Sequence, residues 1–235
     1  MDARLHTDRH YDAELKELHL KILEMGGCVE KQIAAAMTAL VQRDDTQARA
    51  TIERDHTVNR MDVEVDDLCL RLLALHQPAA KDLRLITTAL KITTDLERIG
   101  DMAVNMCERA LELNQESQLK PFIDLPRMVD VAQAMLRESL DAFVREDVEL
   151  ALKVCRDDDI IDGLTQQLFR ELLSYMMEDP QTITRAIRLL FIAIYIERIA
   201  DHATNIAEMV VFMTKGKSIR HLDHVPPSVR CWLRG

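Results

Sequence analysis

Leu85 to Leu113 reads LITTALKITTDLERIGDMAVNMCERALEL. Within it Leu85, Ala89, Ile92, Leu96, Ile99, Ala103, Met106, Ala110 and Leu113 are spaced alternately by four and three residues, the seam of a helix packed along its whole length in a bundle. Leu189, Ile192, Ile196, Ile199, Ala203, Ile206, Val210 and Met213 repeat that seam, and Val58, Met61, Val65, Leu68, Leu72 and Leu75 form a third. No stretch alternates with period two long enough to predict a sheet. The fold class that follows is all-α.

The seam also contains a repeat. Glu97 to Glu108, ERIGDMAVNMCE, returns one hundred positions later as ERIADHATNIAE, Glu197 to Glu208. Seven of the twelve positions are identical, and five of those are polar. Packing alone requires only the apolar positions to recur, so the chain is one unit built twice with a further constraint on its polar residues.

Composition agrees and narrows the function. The 235 residues are 48% apolar but only 4% aromatic, with 12 Met, 6 Gly and 6 Pro, a helical rather than a strand-rich profile. A net charge of −10 argues against nonspecific nucleic-acid binding, because no basic surplus exists to release counterions. Cys28, Cys69, Cys107, Cys155 and Cys231 are odd in number and show no C-x-x-C spacing, as expected of reduced thiols in a cytoplasm. The charged start is unlike a signal peptide, and the longest apolar run, Leu189 to Ile196, is far short of a membrane span. The expected location is cytoplasmic.

Breakers divide the chain. Arg43-Asp44-Asp45 and Arg145-Glu146-Asp147 read as matching hairpin turns that each open a helix with acids at its positive end. Pro78 and Pro180 suit first helical turns, Pro121 and Pro126 bracket a join, and Gly216 suits a helix end. The prediction is six helices in two antiparallel three-helix bundles, residues 8–116 and 122–216, followed by a basic tail at 217–235. Gly26-Gly27, inside the first helix, predicts a kink or a close helix approach.

Glu97, Asp101, Asn105 and Glu108 follow one another by four, four and three residues, so they share a face with neighbouring Cβ atoms about 6 Å apart. Projection places that face nearly opposite the apolar seam, pointing outward, and Glu197, Asp201, Asn205 and Glu208 repeat it. Asp62 with Asp66, and Asp158 with Asp162, are i, i+4 pairs on the middle helix of each half. Four carboxylates from adjacent helices could converge in each half. Such all-oxygen sites suit Mg²⁺, Mn²⁺ or Ca²⁺, or carboxylate-bridged iron, and do not suit zinc. An ordinary solvated acidic face, with Arg98 and Arg198 pairing to Asp101 and Asp201, stands as the other reading.

Other chemistry is sparse. His6 and His10 are an i, i+4 pair near the terminus, His202 is a surface candidate, and Glu53 to His56 is a single E-x-x-H where di-iron bundles use two. No Gly-rich phosphate loop, GxSxG, C-x-x-C or H-E-x-x-H occurs. The expectation is a protein that is not an enzyme, with a carboxylate-bridged metalloenzyme as the alternative.

The duplicated ERIGD and ERIAD segments resemble the E(D)-x-x-x-D signature of the PhoU family of phosphate-uptake regulators. EMGGCVEKQ (Glu24–Gln32), RLLALHQPAAKDLR (Arg71–Arg84) and SYMMED (Ser174–Asp179) are similar to that family too. The resemblance implies two similar three-helix bundles, a homodimer, and a cytoplasmic negative regulator of the phosphate-starvation response. It implies as partners the ATPase subunit of the phosphate ABC transporter and a sensor histidine kinase, with membranes reached only through partners. It further implies Mg, Mn or Fe ions, with candidate ligands Asp62, Asp66, Glu97 and Asp101 in the first half and Asp158, Asp162, Glu197 and Asp201 in the second. The register is uneven: Asp62 to Glu97 and Asp162 to Glu197 both span 35 residues, while Asp158 lies one turn further back. Pairing Asp66 with Asp162 demands an extra turn in the second half's hairpin.

Overall fold

The computed structural model describes residues 2–219, with side chains from His10 onward. His6, Cys231 and all of the basic tail beyond Ile219 lie outside the described side chains. The described chain is all-α: α1 (Asp2–Gln42), α2 (Asp45–His76), α3 (Ala80–Leu113), α4 (Asp124–Arg145), α5 (Val148–Glu178) and α6 (Ile183–Lys215). A single 3₁₀ turn, Pro180–Thr182, leads into α6. The first three helices pack on one another as one antiparallel bundle and the last three as a second, and α3 against α6 joins the two.

The turns form for the reasons their residues supply. Asp44 caps α2 by accepting from the Gln47 N–H at 3.0 Å, and Asp147 caps α5 by accepting from the Leu150 N–H at 3.0 Å. Before each cap the chain reverses through a left-handed residue, Arg43 at φ 56° and Glu146 at φ 54°. Gly216 ends α6 at φ 68°, its N–H donating to the Phe212 carbonyl. Pro180 opens the turn into α6 as expected, whereas Pro78 stands just before α3, whose N-cap is Ala79.

The three predicted seams are buried on α6, on α3 except at the partly buried Leu85, and on α2 except at Met61 and the exposed Leu75. Ala89, Ile92, Leu96, Ile99 and Ala103 of α3 are fully buried with Leu189, Ile192, Ile196, Ile199 and Ala203 of α6 in one continuous core. α1 runs through Gly26-Gly27 without a break. A Cβ on Gly26 would stand 2.4 Å from Leu140 Cδ1, so that glycine marks a close approach of α1 and α4. No disulfide links the four described cysteines. Among the described residues no helix is long and apolar enough to cross a membrane.

Candidate functional site

The capping aspartates fix the register of the two middle helices. Asp44 and Asp147 lie 103 positions apart, whereas Glu97 and Glu197 lie 100 apart. Counting from the caps pairs Ala48 with Ala151, Thr51 with Val154, Val58 with Ile161 and Val65 with Leu168, and every one of these eight residues is buried. The same count pairs Asp55 with Asp158, Asn59 with Asp162, Asp62 with Thr165, and Asp66 with the exposed Phe169. The missing three residues lie downstream: α3 starts 17 residues before Glu97, α6 only 14 before Glu197. The extra turn therefore belongs to the first half, not to the second as the sequence spacing suggested.

In the first half Glu97 feels, after burial, the charges of Asp101, Asp62 and Asp55, which together lift its carboxyl above the usual range despite Arg98. Asp62 is likewise raised, first by burial and then by Asp66. Asp66 otherwise faces Cys69, whose thiol is pushed up to about 12 by burial and by that aspartate. Asp55, absent from the sequence-predicted set, also acts on Glu97 and stands beside Gly100 of the α3 motif. It accepts from Gln32 Nε2 at 3.4 Å and from Asn59 Nδ2 at 3.1 Å. A Cβ added to Gly100 would lie 3.4 Å from its Oδ1 and 3.2 Å from Gln32 Oε1, so glycine lets α3 approach here.

In the second half the predicted four come together. Asp158 is raised to about 6, by burial first, then by Asp201 and Asp162. Asp201 is raised by burial and by Asp162, and Glu197 by burial and by Asp162 and Asp201. The hydroxyls of Thr165 and Thr204 stand beside Glu197 and Asp158 and ease them downward. Both oxygens are nevertheless buried without hydrogen-bond geometry to any partner. On neither face do three carboxylates bring ligand atoms within 4.8 Å of one another, among the described residues.

The stripes are not the outward surfaces that projection predicts. Glu97, Asp101, Asn105, Glu197 and Asn205 are half-buried, with Glu108 and Asp201 exposed. α3 packs on α1, α2 and α6, and α6 on α3, α4 and α5, so three neighbours leave each helix only a narrow wet strip beside its middle helix. Asn205 and His202 are drawn elsewhere: His202 Nδ1 lies 2.8 Å from Asp95 Oδ1, and Asn205 Nδ2 donates to the same oxygen at 3.5 Å. Asp95 is only 9% exposed, so this cluster ties the two bundles, and the apolar seam around it gave no sign of it in the sequence. The lone E-x-x-H is spent locally, with exposed His56 bonded to the Glu53 carbonyl at 2.5 Å.

Chemically, each face offers carboxylate oxygens, with hydroxyls in the second, and no imidazole or thiolate at its centre. That donor set takes hard cations or iron.

Comparison with known proteins matches this geometry to one family. The family model described as "PhoU domain" fits residues 22–110 and again 125–210. A phosphate-specific transport system accessory protein PhoU homolog of Pseudomonas putida is 41% identical over 218 residues, covering 92% of this chain and 85% of that protein. The Escherichia coli K12 accessory protein PhoU is 38% identical over 222 residues, 94% of this chain and 92% of that one. The crystal structure of PhoU from Pseudomonas aeruginosa superposes with a TM-score of 0.85 at 41% identity, covering 88% of this chain and 100% of that chain. The PhoU structure from Streptococcus pneumoniae gives 0.83 at 30% identity, covering 89% and 99%. The chain belongs to the PhoU family.

Proposed function

We propose that this chain is an accessory protein of a phosphate-specific transport system, acting as a cytoplasmic negative regulator of phosphate uptake and of the phosphate-starvation response. The observation that carries the reading is the match of both halves, over nearly the full length, to relatives named for that system. The chain works by contact rather than turnover. It is an adaptor, acting as a homodimer between the ATPase subunit of the transporter and a sensor histidine kinase. A net charge of −10 suits partners that present basic patches, with electrostatics setting encounter rate and specificity.

Metal ions belong to this reading as stiffeners of the acidic faces. The donor chemistry fits: carboxyls raised by burial and by their neighbours' charges, and two buried hydroxyls without partners, are what a hard cation would relieve. Asp158, Asp162, Glu197 and Asp201 would hold such an ion in the second half. In the first half Asp55, Asp62, Glu97 and Asp101 would do so, with Asp66 outside the set.

Deleting the gene should switch on phosphate-starvation genes in phosphate-rich medium, and restoring the chain should silence them. Unchanged repression in the deletion strain at controlled phosphate refutes the regulatory role. Loss of repression without loss of binding to the transporter ATPase would place the defect on the kinase side.

A further inference from the structure

Far from the acidic faces, where the start of α1 meets the end of α2, three ligand-bearing side chains converge. His10 and Glu14 stand one turn apart on α1, and His76 is the last residue of α2. One donor atom from each lies within 4.8 Å of the other two, a convergence no other three His, Cys, Asp or Glu side chains achieve among the described residues. Glu14 Oε2 is 3.3 Å from His10 Nδ1 and 2.9 Å from His76 Nε2. In a tetrahedral zinc site with bonds of 2.0–2.1 Å, ligand atoms sit about 3.3–3.4 Å apart. The 3.3 Å edge already has that size, and the 2.9 Å edge would open by about 0.4 Å to admit the ion.

We propose that His10, Glu14 and His76 form a binding site for a divalent ion of the zinc class, clamping the start of α1 to the end of α2. The set is two imidazoles and one carboxylate, the donor mix that holds zinc with one coordination position open. The surroundings supply orientation as well as ligands. Arg71 Nε holds the other carboxylate oxygen of Glu14 at 3.1 Å, the outer-shell bond that ligating carboxylates carry. Tyr11 lies against the His76 ring at 4.7 Å between centroids and fixes its tilt. Glu14 and His76 are 9% and 14% exposed in their side chains while His10 is 72% exposed, so the site opens to solvent on one side, where the fourth ligand enters.

A plain ion pair explains less. Arg71 already balances the Glu14 charge, yet two imidazole nitrogens still point at one and the same carboxylate oxygen. Neither imidazole belongs to the acidic faces, whose all-oxygen donors select different ions, so this inference does not depend on their being filled.

The test is a zinc titration of the chelator-washed full chain against a chromophoric competitor, with nitrogen-15 NMR of the histidines. Wild type should take up one zinc at this place, through Nδ1 of His10 and Nε2 of His76. D158N/E197Q/D201N should retain that zinc. His76→Gln and His10→Gln should each weaken it by more than the roughly 10- to 100-fold that outer-shell changes cost. His10 is exposed, so His10→Gln reports on ligation in a folded chain, checked by an unchanged circular dichroism spectrum. Equal affinity in wild type and H10Q/H76Q overturns the proposal. So does a zinc that His6→Gln removes and His76→Gln spares, which would be a chelate on one helix. Zinc lost only with the acidic-face substitutions overturns it as well.

Discussion

The two acidic faces descend from one plan and solve its electrostatic problem differently. In the first half Asp55 is met by two amides, from Gln32 and Asn59, and Arg98 lies 3.4 Å from Glu97 and 3.3 Å from Asp101. In the second half the count from the caps puts Asp162 where Asn59 stands, and buried Met135 where Gln32 stands. An amide donor has become a fourth acid, and another has become a thioether. Arg198 eases Glu197 and Asp201 less than burial and the neighbouring aspartates raise them. The first face is thus partly neutralised from within, whereas the second keeps its charges with less internal relief. Cation binding should be the function in which they differ most.

Manganese gives the largest handle on that difference. At about 100 times its dissociation constant a ligand of the folded state adds about 2.7 kcal/mol of stability. That increment should vanish in D158N/E197Q and survive in part in D55N/E97Q, read as the shift in thermal midpoint on adding Mn²⁺. An equal or larger loss from the first-face pair would break the comparison.

Next in size is Gly100→Leu. The added side chain must displace Gln32 and Asp55 from a gap that a single Cβ already narrows to 3.2 and 3.4 Å, and overpacking of that kind costs about 1–3 kcal/mol. Urea unfolding of wild type and Gly100→Leu checks this, and an unchanged midpoint would show that the close approach at Gly100 is not a packing constraint.

Asp158→Asn tests the second face by pH. A carboxyl whose pKa rises from 3.8 to about 6 on folding holds a proton that the unfolded chain has lost, so between those values stability falls as pH rises. A rise of that size is worth about 3 kcal/mol unscreened, and about 1 kcal/mol on a half-exposed face. In chelator-treated protein Asp158→Asn should therefore stabilise by about 1 kcal/mol at pH 7 and by nothing at pH 4, measured by urea unfolding at both. Stabilisation that stays constant between the two would remove ionisation of this buried, crowded carboxyl as the cause.

Much of this was legible in the sequence. The four-three seams gave three of the helices and their buried faces, the breakers gave the other three, and the Asp44 and Asp147 turns marked where α2 and α5 begin. The acids of the second face lie at i, i+4 on one helix and across from the repeat, so sequence spacing alone placed them side by side. Asp55 was missed because the register was counted back from Glu97, across a hairpin whose length differs by one turn between the halves. Counting forward from the capping aspartates would have found it. Asp95 was illegible for another reason: its partners His202 and Asn205 come from the other bundle, and no local period encodes a contact 107 residues away. Projection of the stripes failed likewise because it treats a helix as having one neighbour, and α3 and α6 have three each.

The smallest expected effect separates the two arginines that share one place in the repeat. Arg98 makes two ion pairs from a side chain 57% exposed, so Arg98→Gln should destabilise by about 0.2–1 kcal/mol and raise Glu97 further. Arg198 acts on its acids as the weakest of their charged neighbours, so Arg198→Gln should cost less, near the limit of detection. The difference should shrink at high salt, because exposed pairs are screened. A double substitution of Arg98 and Glu97 then measures the pair itself. If its cost equals the sum of the singles, Arg98 contributes only diffuse charge, and what distinguishes the first face reduces to the Gln32 and Asn59 amides around Asp55.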